Sequence, residues 1–255
     1  MPTKVAEPAI VSPKDFHSYL AERAKLPPDR LVIPANLICI YDRRLFEAVR
    51  KRIRGRYVRW YYSKRLATRT MRDSPLAVLH SFIGSSAAAM MLEEMIVSGA
   101  RRVIEVGLCG GLLPSLRVGD IVVANRALVD EGTSSLYHQK ADAFDASEEL
   151  TRQVEQALKK KKTPLKIGTV WTTDAPYRET RTKLLRFRQK GAVGVNMETS
   201  ALFAVAKFRR IEITSLQVVS DLVLERGWKP SFHERIVAKQ SELASDIALW
   251  TLEHA

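Results

Sequence analysis

Apolar positions along this chain fall into short, nearly continuous runs, separated by stretches that repeat at a helical period. Residues 31–41, 76–83, 102–108, 120–128, 165–172 and 211–219 read as strands rich in Val, Ile and Leu, and 193–196 as a shorter one. Between them, 44–53, 85–97, 147–160, 179–189 and 198–208 read as helices, and 234–252 as a long closing helix. A further helical pattern covers 13–25, with Ser12 as its cap and Pro13 at its first position. Strands alternating with helices predict a three-layer α/β/α domain around a mixed, mostly parallel central sheet. No stretch rich in Gly, Pro or Ser separates the elements and no internal repeat is found. Residues 31–255 are therefore expected to form a single domain, with 1–30 a helical extension packed on it.

Composition adds limits rather than detail. With 255 residues, 46% of them hydrophobic, the chain can bury one sizeable core. No apolar run is long enough to span a bilayer, and residues 1–13 carry no signal core, so a cytoplasmic protein without membrane partners is expected. Cys39 and Cys109 both stand in strand-like contexts and read as buried free thiols; neither has His or Cys at metal spacing, so no metal and no cofactor are expected. The net charge of +13 gathers in 43–72 and in the run Lys159-Lys160-Lys161-Lys162. Without a helix-turn-helix, finger or aromatic-basic repeat, it reads as solvated faces that attract anionic substrates, in preference to nucleic-acid contact.

Candidate chemistry enters with two acids. Gly194-Val195-Asn196-Met197-Glu198-Thr199 and Val218-Val219-Ser220-Asp221 place Glu198 and Asp221 at the ends of apolar runs, where α/β sheets build their sites. One carboxylate could hold sugar hydroxyls and favour a cationic sugar, and the other could protonate a leaving base. Each also has a plain structural reading, Glu198 as a first-turn helix acid and Asp221 as a cap. A glycine-rich turn, Val106-Gly107-Leu108-Cys109-Gly110-Gly111-Leu112, follows a strand. It is neither a P-loop nor a dinucleotide fingerprint, but its amides could face an anion.

These segments together resemble the nucleoside phosphorylase superfamily, in the branch with uridine phosphorylase, hexameric purine nucleoside phosphorylase and methylthioadenosine nucleosidase. The likeness rests on 103–123, Asn196-Met197-Glu198, Ser220-Asp221, Gly84-Ser85-Ser86, 130–134 and 173–180, within a span of roughly 30–250. It implies phosphorolysis of a nucleoside to free base and ribose 1-phosphate, purine favoured over uridine, with inorganic phosphate as co-substrate. Glu198, Met197 and Asn196 would meet the ribose, while Asp221 and Ser220 would face the base. Gly107, Cys109 and Gly110 would line the site, with Tyr177 stacking on the base and Arg178 reaching a carbonyl. Gly84 and Ser85 would face phosphate. Arg43, Arg44, Arg65 and Arg69 are the candidate phosphate cations, unranked. The family pattern is broken at Ile40-Tyr41-Asp42-Arg43-Arg44, which lacks a glycine, at Glu105, where an arginine is usual, with Leu108 in place of a hydroxyl residue, and at Asn196, where an acid is common. These departures leave two alternatives open: a nucleosidase using water, with Glu105 as its base, or an inactive nucleoside-binding relative. The resemblance also implies a homo-oligomer, a dimer or trimer of dimers, for which the segment 57–62 around Trp60 is a candidate surface or else core strand. Of the histidines, His138 is the candidate for the pocket, ahead of His80 and His233.

Overall fold

The computed structural model describes residues 9–61, 64–70 and 74–254. Its helices, in chain order, are α1 (Pro13–Ala24), α2 (Arg43–Arg52), α3 (Ser85–Val97), α4 (Ser134–Tyr137), α5 (Glu148–Lys160), α6 (Arg181–Gln189), α7 (Thr199–Arg209) and α8 (Arg235–His254). The strands are β1 (Asn36–Ile40), β2 (Arg56–Tyr57), β3 (Leu66–Arg69), β4 (Leu76–His80), β5 (Arg102–Gly111), β6 (Ile121–Asp130), β7 (Ala143–Asp145), β8 (Lys166–Thr173), β9 (Ala192–Asn196), β10 (Glu212–Leu224) and β11 (Gly227–Pro230).

Strand alternation builds the layers, because neighbouring side chains on a strand point to opposite faces. Along β1, Leu37 and Cys39 enter one core with Met91, Leu92, Leu202 and Phe203 of α3 and α7. Ile38 and Ile40 enter the other, with Phe46, Val49, Leu150, Val154 and Ile247 of α2, α5 and α8. β4 splits in the same way, with Ala77 and Leu79 on the first side and Leu76 and Val78 on the second. Strands covered on both faces carry unbroken apolar runs, which is why β1 and β4 were legible as strands. Capping fixes the helix starts: the Ser12 hydroxyl accepts from the Asp15 amide at α1, and the Asp42 carboxylate accepts from the Leu45 amide at α2. α1 packs against α3.

The sheet is mixed. β4, β1, β5 and β10 run parallel, as do β6, β8 and β9. The two groups meet through antiparallel pairs, β10 with β6 and β5 with β9. Because β10 pairs with both β5 and β6, while β8 and β9 link β6 back to β5, these strands close on themselves. β4, β3 and β2 extend the sheet outward from β1, and the β10–β11 hairpin extends it on the other side. Of the aromatic-basic segment, only Arg56–Tyr57 is strand; Tyr61 is buried, and Trp60 sets its ring edge-on to Tyr61 and to His17 of α1. Residues 62 and 63 of that segment lie outside the described residues. Among the described residues no helix is long and apolar enough to cross a membrane.

Candidate active site

β5 and β10 carry the centre of the site. Their ladder is regular up to Cys109↔Val219 and then shifts, so that Gly110 faces Asp221 and Ser220 is the extra residue. This bulge breaks the alternation of β10 and lets both Ser220 and Asp221 face one cavity, while Val219 stays in the core. Gly110 leaves room for that carboxylate: a Cβ there would lie 3.1 Å from Asp221 Oδ2 and 2.9 Å from Val223. Asp221 is buried, and both its oxygens accept hydrogen bonds, Oδ1 from the Ser220 hydroxyl (2.8 Å) and Oδ2 from the Trp228 indole N–H (2.7 Å).

Glu198 stands at the entry to α7, beyond the end of β9. Its Oε1 accepts from the Gly84 amide (2.8 Å) and its Oε2 from the Met197 amide (3.1 Å). Gly84 sits at φ 99°, a conformation that suits glycine, and this aims its N–H across at Glu198. Burial and the nearby Glu105 push the Glu198 carboxyl up to about 7, against the pull of the two amides. Glu105 is itself fully buried: Tyr41 donates to its Oε1 (2.7 Å) and Thr199 to its Oε2 (2.7 Å), and burial raises its pKa. Asn196 joins the same network, accepting from Thr172 (2.9 Å) and donating to Thr199 (2.5 Å).

Glu198 and Asp221 open into one cavity of about 850 Å³. Its lining includes Gly107, Leu108, Cys109 and Gly110 of β5, together with Asn196, Met197, Ser220 and Tyr177. The cavity thus gathers the sugar-side and base-side candidates named from sequence, except Arg178, which is exposed and outside it. Cys109 is a buried free thiol whose pKa is raised by burial and then by Asp221. Tyr177 reaches the cavity mouth while 99% exposed.

The anion-side candidates do not assemble as expected. Of the arginines, only Arg44 lines the cavity. Arg43 pairs with Glu47 and donates to the Lys64 carbonyl, Arg65 donates to the His80 and Ser81 carbonyls, and Arg69 pairs with Glu253. The Gly84 amide serves Glu198, and the Ser85 hydroxyl donates to the Met197 carbonyl (2.7 Å), so neither faces open space at the site. Glu105 lies outside the lining, where its oxygens accept from Tyr41 and Thr199. His138 bonds the Ala204 carbonyl away from the cavity, whereas His233 lines it.

Three contributors escape a reading of the sequence. Glu179, directly after the 3₁₀ turn Pro176–Arg178, lines the cavity, and burial followed by the charge of Asp221 pushes its carboxyl up to about 7. Trp228 comes from β11, whose exposed residues carry no alternation. Phe232, Val237 and Ser241, leading into and along α8, supply a wall.

A family model described as the phosphorylase superfamily matches residues 46–253. The chain belongs to the phosphorylase superfamily. Within it, the chain is 28% identical over 186 residues to the DeoD-type purine nucleoside phosphorylase of Brevibacillus brevis, covering 71% of this chain and 79% of that one. The DeoD-type enzyme of Buchnera aphidicola subsp. Schizaphis graminum is 26% identical over 173 residues, 65% of this chain and 73% of its own. Among solved structures, purine nucleoside phosphorylase from Toxoplasma gondii in complex with immucillin-H superposes with a TM-score of 0.77 at 21% identity, over 88% of this chain and 92% of that one. Uridine phosphorylase from Vibrio fischeri gives 0.75 at 24% identity, over 86% and 91%. AMP nucleosidase from Bacteroides thetaiotaomicron shares the phosphorylase-superfamily fold at a TM-score of 0.72 and 20% identity, over 93% and 97%.

Proposed function

We propose that this protein cleaves the N-glycosidic bond of a nucleoside by phosphorolysis, with a purine base favoured over uridine. One observation carries the reading: Glu198 and Asp221 face the same cavity, which is large enough for a nucleoside and an anion together. A phosphate oxygen attacks C1′ as the C–N bond breaks, the bond electrons leave with the base, and a proton from the carboxyl side of Asp221 reaches purine N7. Ionised Glu198, beside Met197, accepts from ribose hydroxyls and favours the positive charge that develops on the sugar. Among the described residues no carboxylate pairs with Arg44, so its guanidinium is the cation left for inorganic phosphate. The purine assignment draws on Asp221 as a proton donor and on the DeoD-type relatives.

A hydrolytic reading keeps one specific support. The Gly84 amide and Ser85 hydroxyl are spent on Glu198 and Met197, so Arg44 alone of the expected anion ligands lines the site. The two readings separate in one assay. Purified protein should release free base from adenosine or inosine with phosphate present and form ribose 1-phosphate, and Arg44→Ala should raise the phosphate KM about tenfold or more. Base release at an equal rate in phosphate-free buffer would overturn phosphorolysis in favour of water as nucleophile.

The same reading makes this a cytoplasmic enzyme of purine salvage that needs no cofactor. It works as a homo-oligomer, a dimer or trimer of dimers; Tyr177 and Ile83, apolar and strongly exposed at the cavity rim, support an assembly that covers them.

A further inference from the structure

Of the lining carboxylates that the reaction as described leaves idle, Asp42, Glu234 and Glu242 are exposed and Glu179 is half-buried. Among the described residues no hydrogen bond or ion pair holds the Glu179 side chain. The cation acting on it is Lys183 of α6, whose ammonium is already bound to Asp130 Oδ2 at 2.7 Å. Its neighbour across the cavity is Asp221 of β10, each of whose oxygens already accepts one hydrogen bond. A half-buried carboxylate without a protein partner, facing a ligand cavity, is open to a ligand donor in place of water.

Two carboxyl groups facing one cavity, Asp221 in its proposed role of donor to N7 and Glu179 as acceptor, present one O–H donor and one acceptor. Purines differ at the edge such a pair would meet. A 6-aminopurine offers the N7 acceptor beside an N6–H donor, whereas a 6-oxopurine offers two acceptors, N7 and O6. Against the second, one carboxylate oxygen would face O6 with no proton between them, a mismatch that sites built for hydrogen bonding reject strongly. We propose that Glu179 is a specificity-determining residue: with Asp221 it reads the N7 and C6 edge of the base, so the site takes 6-aminopurine nucleosides in preference to 6-oxopurine nucleosides. With its carboxyl pushed up to about 7, Glu179 is mostly ionised at pH 8 and accepts. This rests on the proposed placement of the base against Asp221.

The test compares free adenine and hypoxanthine by calorimetric binding at pH 8, alongside turnover of adenosine and inosine with phosphate. Wild-type protein should favour adenine by about 10- to 100-fold. Glu179→Gln, whose amide can donate as well as accept, should erase most of that preference, chiefly by improving hypoxanthine. N6,N6-dimethyladenine, which has no N6–H, should lose the advantage on wild-type protein, an arm that does not depend on the variant folding. Equal affinity for adenine and hypoxanthine, undiminished binding of the dimethyl base, or an unchanged preference in a folded Glu179→Gln would overturn the assignment. Selective adenine binding without base release from adenosine would instead count against phosphorolysis and leave the role of Glu179 standing.

Discussion

Glu198 is pulled in opposite directions by its surroundings. Burial and Glu105 favour its neutral form, and the amides of Gly84 and Met197 favour the ionised one. The result, about 7 against an ordinary 4.5, has two consequences. Since the ionised form serves the cationic sugar, kcat/KM for a neutral nucleoside should climb as pH rises through about 7, measured across a pH–rate profile. For stability the sign is reversed. Between about 4.5 and 7 the folded state binds more protons at this site than the unfolded chain, so unfolding free energy falls as pH rises through that window. Glu198→Gln should therefore shrink the difference in denaturant-measured stability between pH 5 and pH 8, by on the order of 2–3 kcal/mol. Glu198 and Asp221 each end an apolar run and each also reads as a helix acid or a cap; the family resemblance singled them out, and the structure brings both to one cavity. Glu179 was not legible in the sequence. It shares a short turn with Tyr177 and Arg178, neighbours whose directions no periodicity distinguishes, and the turn sends Arg178 out and Glu179 in.

At the level of elements, the bulge at Ser220 and the hairpin that follows it form one device. β10 runs on past Val219 to Leu224 because Asp221 and Leu222 pair both with Gly110 and Gly111 of β5 and with Pro230 and Lys229 of β11. That returning strand delivers the Trp228 indole to Asp221, and Glu225 in the turn ties the hairpin to Arg188 of α6 at 2.9 Å. Trp228→Phe keeps a ring at the cavity wall and removes the N–H. It should lower kcat for adenosine by about tenfold with a smaller change in KM, since hydrogen bonds to charged groups contribute roughly 1.5–3 kcal/mol; steady-state kinetics check this. Which elements could be read in advance follows from burial. β1, β4, β5 and β8 carry long apolar runs, whereas β2, β7 and β11 are two to four residues long and mostly exposed or half-buried, so neither period nor hydrophobicity marks them. The β10 strand ended early in the sequence reading for a related reason. Ser220 and Asp221 look like a stop, yet a bulge carries the ladder through them.

For the molecule as a whole, charge and topology divide the work. The chain carries +13, yet its cavity is lined by Asp42, Glu179, Glu198, Asp221, Glu234 and Glu242 against Arg44, so the excess positive charge lies outside the site and can draw anions toward it over a distance set by salt. Among the described residues, β5, β10, β6, β8 and β9 each pair on both sides, β9 with β5 at Gly194 and Val195, whereas β11 pairs with β10 alone. Hydrogen exchange followed by mass spectrometry should show amides of β5 and the first half of β10 as the slowest, and residues 225–238 as much faster, with the latter slowed when a purine nucleoside is added. A hoop cannot gape like a jaw. Traffic in and out of this protein passes the rim, where the hairpin, the start of α8 and the turn bearing Tyr177 stand, so any opening falls to these small outlying pieces while the hoop holds the two acids in place.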